Sequence, residues 1–440
     1  MGSFRFLHAA DLHLDSPFRG LSEIPKSVRE VIRSSTFQSL ERLVELAIRE
    51  RVDFVVIAGD VYDLEDCSIR AQFRFHHAMN RLAESGIHVY IAHGNHDPLA
   101  GRRMPWDTPR GIHVFGANEV ETIAVEGPRG QLLAYVHGIS YATAAVTDNL
   151  AARFRVHDHT VANIGVLHTN VEGASDHGNY APASRAQLIA SGIDYWALGH
   201  IHQRAVLHES PYIVYSGNTQ GRSIKETGEK GCYIADMVDS RVARLTFHAT
   251  DMVRWLRTTV SVEDALTELD VKAAAERELE ALRGRTDGRP AVVRLVVNGS
   301  TALHRELHRT SFLDELVAEW NEAESLHTEQ DASYPFLWIE SCKLETRSLL
   351  ERTVLLEQES FIGDLLRIAD ELRSDERQLE TFLEQLTGDL TRSRIGRHLR
   401  IGQALPSSGE RSGGQEDVSE LLMRAEDWLL DMLIERSERR

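Results

Sequence analysis

The chain has little cysteine: three residues in 440, Cys67, Cys232 and Cys342, far apart and without CxxC spacing. That excludes a disulfide framework or a thiolate zinc site and fits a reducing cytoplasm. Long hydrophobic runs are missing too. The apolar stretches are short and broken by charge, so no transmembrane span is expected. The chain enters a strand-like run at Phe4 to Leu7, which leaves no room for a signal peptide in this reading. No internal repeat or long low-complexity tract occurs.

An excess of positive charge is also lacking. The net charge is −18, distributed unevenly: residues 1–255 hold 25 Lys+Arg against 29 Asp+Glu, and residues 256–440 hold 24 against 38. Binding of nucleic acid by bulk electrostatics is therefore not expected. A phosphate-ester substrate would need bound metals, local arginines or a partner to hold it.

What the chain does have is histidine in its first part, 17 of 21 before residue 256. Seven metal-ligand-type residues fall in five short clusters: Asp11 and His13 (ADLH), Asp60 (IAGDVYD), Asn95 (AHGNHD), His168 (GVLHTN), and His200 with His202 (LGHIH). Each cluster follows an apolar run (Phe6-Leu7, Phe54 to Ala58, Ile87 to Ala92, Ile164 to Leu167, Tyr195 to Leu198) where a buried strand should run out into a loop. In open α/β sheets, ligands gather at the carboxyl ends of strands.

The flanking pattern agrees. Residues 28–51 and 67–85 read as amphipathic helices. Strands are expected at 112–115, 121–125, 132–136, 164–167, 195–198, 212–215 and 232–235. The expected class is α/β, two packed sheets flanked by helices, over residues 1–255. A smaller α+β and helical capping region follows at 256–402: helix 262–282, strand 291–297, helix 302–322, strand 336–344, then charged helices over 355–390. A Ser/Gly-rich linker at 403–416 leads to an amphipathic helix at 417–440, whose stripe (Val418, Leu421, Leu422, Ala425, Trp428, Leu429, Met432, Leu433) would fold back on its own region or dock on a partner.

Histidine, carboxylate and amide-oxygen donors without thiolate suit Mn²⁺, Fe²⁺ or Zn²⁺. Seven ligands are too many for one ion that keeps a position open, so two ions are expected. Asp60 would bridge them, with Asp11, His13 and His202 on one and Asn95, His168 and His200 on the other. Such a pair activates water and clamps the oxygens of a displacement at phosphorus. His96 would act as the general acid, oriented by Asp63. Gly59, Gly94 and Gly199 would permit the tight turns. Arg102, Arg103, His177, Asn179 and Arg222 are candidate substrate contacts, with Arg110, Tyr180 and Lys225 beside them. His8, His93 and His137 read as hydrogen-bonded neighbours of the ligands, and Trp196 as core.

The five clusters in this order resemble the calcineurin-like metallophosphoesterases over about residues 4–250. FLHAADLHLDSPF with GDVYD and GNHD resembles the SbcD-type DNA exonucleases more narrowly. LHTNVEGASDHGNYAP and YSGNTQGRSIKETGEKG resemble the YhaO-like branch. The resemblance implies two Mn²⁺ ions, a two-sheet sandwich and phosphodiester hydrolysis on DNA ends or single strands. It also implies an SMC-like ATPase partner of the SbcC type, with the C-terminal helix one place to dock it and a homodimer also open. Some members of the broader nuclease family carry His where Asp63 stands. A phosphomonoesterase or small-molecule phosphodiesterase on the same metals is the alternative, which the acidic balance favours. A non-catalytic scaffold is disfavoured because all seven ligands and His96 are present.

Overall fold

The computed structural model describes residues 3–18, 24–63, 68–101, 109–156, 158–173, 178, 180–331, 333–348, 352–357, 359–374, 381–382 and 429. Arg102, Arg103, His177, Asn179, the 403–416 linker and, apart from Leu429, the 417–440 helix lie outside the described residues.

Two six-stranded sheets form the first part of the chain. One contains β1 (Ser3–Ala9), β2 (Phe54–Ala58), β3 (His88–Ala92), β4 (Ile112–Val114), β11 (Gly231–Val238) and β12 (Arg241–Ala249), in the order β12-β11-β1-β2-β3-β4. The other contains β5 (Glu121–Glu126), β6 (Leu132–Gly138), β7 (Ala162–His168), β8 (Tyr195–Gly199), β9 (Ala205–Glu209) and β10 (Tyr212–Tyr215), in the order β5-β6-β7-β8-β10-β9. In each sheet the four strands next to the site run parallel, β1 to β4 and β6-β7-β8-β10. Helices α1 (Lys26–Arg49) and α2 (Ile69–Glu84) connect β1 to β2 and β2 to β3. The short α3 (Arg185–Ala190) precedes β8.

Period-two alternation explains why these runs pair as sheets. Along β1 and β2, Phe6, Phe54 and Val56 face Ile164, Val166, Tyr195 and Ala197 of the other sheet in one core. Leu7, Val55 and Ile57 point the other way, onto Leu40, Leu43 and Val44 of α1 and Met79 and Leu82 of α2. The second sheet covers its far face in the same way, with Leu167, Trp196 and Leu198 against Leu150, Phe154 and Leu188. Trp196 is fully buried and its Nε1 donates to the Leu188 carbonyl at 3.1 Å, so it is core, as expected.

Three strands form a further sheet, β13 (Arg254–Ser261), β14 (Ala291–Thr301) and β15 (Leu337–Ser348), in that order. With them come α4 (Glu268–Gly284), α5 (His304–Arg309), α6 (Phe312–Gln330), α7 (Arg352–Glu357) and α8 (Phe361–Ser374). The chain divides into two compact units, Met1–Thr259 with Glu276–Val296 and Asp314–Lys343, and Val260–Ala275 with Val297–Leu313 and Leu344–Arg440. In the first, Leu256, Leu279, Leu282, Ala291, Val293 and Leu337 form a satellite core. In the second, His304 Nδ1 lies 2.8 Å from Thr346 Oγ1.

Three details differ from the sequence reading. The helix expected from residue 262 starts at Glu268, because Thr267 and Asp270 cap each other: the Thr267 backbone N–H donates to the Asp270 carboxylate at 2.8 Å and Thr267 Oγ1 accepts from the Asp270 N–H at 3.3 Å. The helix expected over 302–322 is two, since Thr310 takes an extended conformation between α5 and α6. Arg254–Arg257, where the pattern changes in sequence, lies in β13. Arg254 is buried there among Asp251 (3.2 Å), Glu229 (3.1 Å) and Asp287 (3.0 Å). Among the described residues, no helix is long and apolar enough to cross a membrane.

His8 makes the core pH-sensitive. It is fully buried, 3.1 Å from Tyr195 Oη and 3.2 Å from the Leu198 carbonyl, and burial pulls its pKa down to about 3. The unfolded chain, with an ordinary imidazole near 6.5, binds the proton first, so stability falls as pH drops from about 6.5 towards 3, by on the order of 4 kcal/mol. Melting temperatures of wild type and His8→Gln between pH 7 and 4 are expected to converge or cross as the wild type loses more. Parallel curves would show that His8 does not titrate this way.

Candidate metal centre

All five clusters arrive at one place, the carboxyl edge where the two sheets meet. Asp11 and His13 follow β1, Asp60 and Asp63 follow β2, Asn95 and His96 follow β3, His168 ends β7, and His200 and His202 follow β8. Backbone bonds lock the first two loops together: the Asp11 N–H donates to the Gly59 carbonyl and the His13 N–H to the Asp60 carbonyl, both at 3.0 Å. The His200 N–H donates to Asp11 Oδ1 at 3.0 Å, tying the second sheet to the first.

The geometry is strained where it delivers ligands. Asp11, His13, Asp60 and His200 have φ of 52, 43, 52 and 100°. Such left-handed conformations cost a non-glycine residue roughly 1–3 kcal/mol each and collect at functional sites. Of the three glycines expected to allow the turns, Gly59 needs its freedom, at φ 95°. Gly94 and Gly199 are needed for room instead: an added methyl would strike Asp60 and His168 at Gly94, and the Ala58 carbonyl at Gly199.

The ligand atoms of Asp11, His13 and His202 lie within 4.8 Å of one another, as do those of Asp11, Asp60 and His168. Asp60 Oδ2 reaches a histidine of each set, 3.8 Å from His13 Nε2 and 3.3 Å from His168 Nε2. Asn95 Oδ1 is 3.0 Å from His168 Nε2. The His200 ring lies 5.2 Å from that of His168, centroid to centroid, with Nε2 2.8 Å from the Gly178 carbonyl. Of these residues Asp11, His13, Asp60 and His168 are at most 1 % exposed.

This donor set fits divalent cations on its chemistry. His13 and His202 both hold Nδ1 against a carboxylate, Asp63 at 2.8 Å and Glu226 at 2.6 Å, so both Nδ1 atoms carry the proton. Their Nε2 lone pairs then converge, 3.2 Å apart, an arrangement that a cation satisfies. His168 likewise donates Nδ1–H to the Ala58 carbonyl at 2.9 Å and turns Nε2 towards the oxygens of Asn95 and Asp60. Burial opposes charging His168, but Asp60 and Asp11 outweigh it and push its pKa up to about 9. Burial likewise pushes the Asp11 carboxyl up, with the Asp60 charge adding to it.

His96 stands at the mouth, its side chain 48 % exposed and its Nδ1 2.8 Å from Asp63 Oδ1. Asp63 also accepts from His13, from Ser16 Oγ and from the Arg222 guanidinium at 3.2 Å. Burial works against the Asp63 charge, but these partners hold its carboxyl far below the usual range. Burial similarly opposes a charge on His96, and Asp63 and Asp60 reverse that, so its pKa moves upward.

Several residues that organise the site were not picked out in sequence. Asp97 accepts from the backbone N–H groups of Asp60 (3.2 Å), Val61 (2.9 Å) and Gly94 (2.8 Å) and from His93 Nδ1 (2.6 Å), shaping both the Asp60 and Asn95 turns. Glu226 backs His202, and Ser16 backs Asp63. The final Asp of GNHD was a signal for the first; the other two have none. Of the neighbouring histidines, His93 bonds Asp97, and His137 lies between Thr122 Oγ1 (2.8 Å) and Asn163 Oδ1 (2.9 Å). Arg222 is the one described residue of the expected substrate contacts. It is 17 % exposed and engaged by Asp63 and Glu226. Lys225 and Arg110 are exposed, and the Tyr180 ring lies 5.9 Å from that of His200.

Two mixed sheets with helices outside, and a cluster of histidine, carboxylate and amide donors where the parallel strands end, are the architecture of a metallophosphoesterase. The calcineurin-like phosphoesterase family model matches residues 4–204, and the model for the YhaO metallophosphoesterase middle domain matches residues 255–347. The metallophosphoesterase YhaO of Bacillus subtilis is 37 % identical over 373 residues, covering 84 % of this chain and 87 % of that one. The chain belongs to the calcineurin-like metallophosphoesterases, in the branch of YhaO. It is also similar to the SbcD component of the nuclease SbcCD of Bacillus subtilis, 24 % identical over 51 % of this chain and 63 % of that one. The DNA double-strand break repair protein Mre11 of Aeropyrum pernix is 37 % identical over 93 residues, 21 % of each.

Proposed function

We propose that this chain hydrolyses phosphodiesters with two Mn²⁺ ions, and that its substrate is DNA, degraded from ends or single strands in repair together with an SMC-like ATPase. The observation that carries the hydrolytic reading is His96: a half-exposed imidazole held by Asp63 at the mouth of a largely buried donor set. DNA as substrate is supported by the kinship with the SbcCD and Mre11 proteins.

In this reading Asp11, His13 and His202 would hold one ion and Asn95, His168 and His200 the other, with Asp60 available to both. When bound, the ions activate water and offset charge on the phosphate. The protein's own residues do the rest. Asp63 fixes the His96 ring through Nδ1, and His96 Nε2–H delivers the proton to the leaving oxygen. Arg222 keeps Asp63 charged and in place. With a net charge of −18, holding DNA falls to the ions and the partner.

The test is hydrolysis of end-labelled linear duplex DNA with Mn²⁺, beside bis-p-nitrophenyl phosphate, with and without the SMC-like ATPase. Progressive shortening of the DNA is expected. Turnover of the small diester alone, with the ATPase present and regardless of DNA length, would replace this reading with a small-molecule phosphodiesterase, which the acidic balance favours.

A further inference from the structure

The two histidine pairs are backed differently. His13 and His202 turn Nδ1 to carboxylates, Asp63 at 2.8 Å and Glu226 at 2.6 Å. His168 and His200 turn their second nitrogens to peptide carbonyls, Ala58 at 2.9 Å and Gly178 at 2.8 Å. A carboxylate behind an imidazole N–H fixes the tautomer and makes the opposite nitrogen a stronger donor to a metal. A neutral carbonyl fixes the tautomer with much less electronic push.

Glu226 is itself well built. It lies in the loop between β10 and β11, its side chain only 12 % exposed. Its second oxygen accepts from Asn218 Nδ2 at 3.0 Å and from the Arg222 backbone N–H at 2.6 Å. The Arg222 guanidinium then spans the two backing carboxylates, 3.2 Å from Asp63 and 3.5 Å from Glu226. Its Nε is buried without a hydrogen-bond partner among the described residues. One arginine thereby holds both carboxylates charged and aimed at His13 and His202.

We infer that Glu226 is a positioning residue which, bridged to Asp63 by Arg222, makes the Asp11–His13–His202 set the tighter of the two metal sites. The inference rests on the two-ion reading above. Calorimetric titration of the EDTA-stripped full chain with Mn²⁺ tests it. Wild type should take up two ions in two affinity classes, and His168→Ala should keep the tight class. Glu226→Ala should weaken the tight class about 10–100-fold and leave the other within about threefold. Glu226→Gln, which keeps an oxygen against His202 Nδ1, should fall between. It also decides the matter should the alanine variant not fold, as judged by its melting in EDTA. Wild-type affinities in the folded Glu226 variants, or a loss confined to the weaker class, would overturn the inference. Uptake of fewer than two ions by wild type would instead remove the two-ion reading beneath it.

Discussion

His96→Ala is expected to lower kcat for phosphodiester hydrolysis about 10²–10⁴-fold, the usual contribution of a positioned general acid, while the chain still takes up two Mn²⁺. The separation follows from position. Asp11, His13, Asp60, His168 and His200 are buried, whereas the His96 side chain is 48 % exposed and spends Nδ1 on Asp63 at 2.8 Å. Burial alone would make it a weak base, yet Asp63 and Asp60 raise its pKa above that of a free imidazole. An acid must be protonated to act, so wild-type activity should fall as pH rises past that raised value, and this alkaline limb should be missing from His96→Ala. Rates from pH 6 to 10 on bis-p-nitrophenyl phosphate check both points. Undiminished turnover in the variant would assign the acid elsewhere.

Asp60→Asn is expected to have the larger effect, loss of measurable hydrolysis, because in the proposed mechanism activation of water would need both ions. Asn fits the space and keeps an oxygen for the His96 N–H, which Asp60 Oδ1 accepts at 2.9 Å. What it removes is the charge lying between His13 and His168. Asp60 is held ionised in the folded protein although burial opposes it, because His168 and then His13 and His96 surround it. Its charge is the one both ions would share.

Much of this centre was legible in sequence, because each cluster combines a ligand with the apolar run that buries its strand. The pairs Asp11/His13 and His200/His202 and the GNHD turn needed no long-range information. The parallel strands β1, β2 and β3, with α1 and α2 between them, carry their periodicity openly. Other features depend on contacts between distant segments. Glu226 lies in the ETGEKG run, where nothing in the sequence marks it as a partner for His202, and only the β10–β11 loop brings the two together. The carbonyls of Ala58 and Gly178 have no side-chain signature at all. Arg222 reads in sequence as a candidate substrate contact, because an arginine shortly after Gly217-Asn218 does not reveal that two carboxylates already hold its guanidinium. The start of α4 and the break between α5 and α6 turn on single capping and extended residues, Thr267 and Thr310, which periodicity does not resolve.

The most direct measurement titrates the EDTA-stripped full chain with Mn²⁺ while following bis-p-nitrophenyl phosphate hydrolysis and bound metal, with Asp60→Asn alongside. Two-ion catalysis predicts turnover that appears with the second equivalent and is absent from the variant. Hydrolysis that persists in EDTA, saturates with one ion, or survives in Asp60→Asn would contradict it.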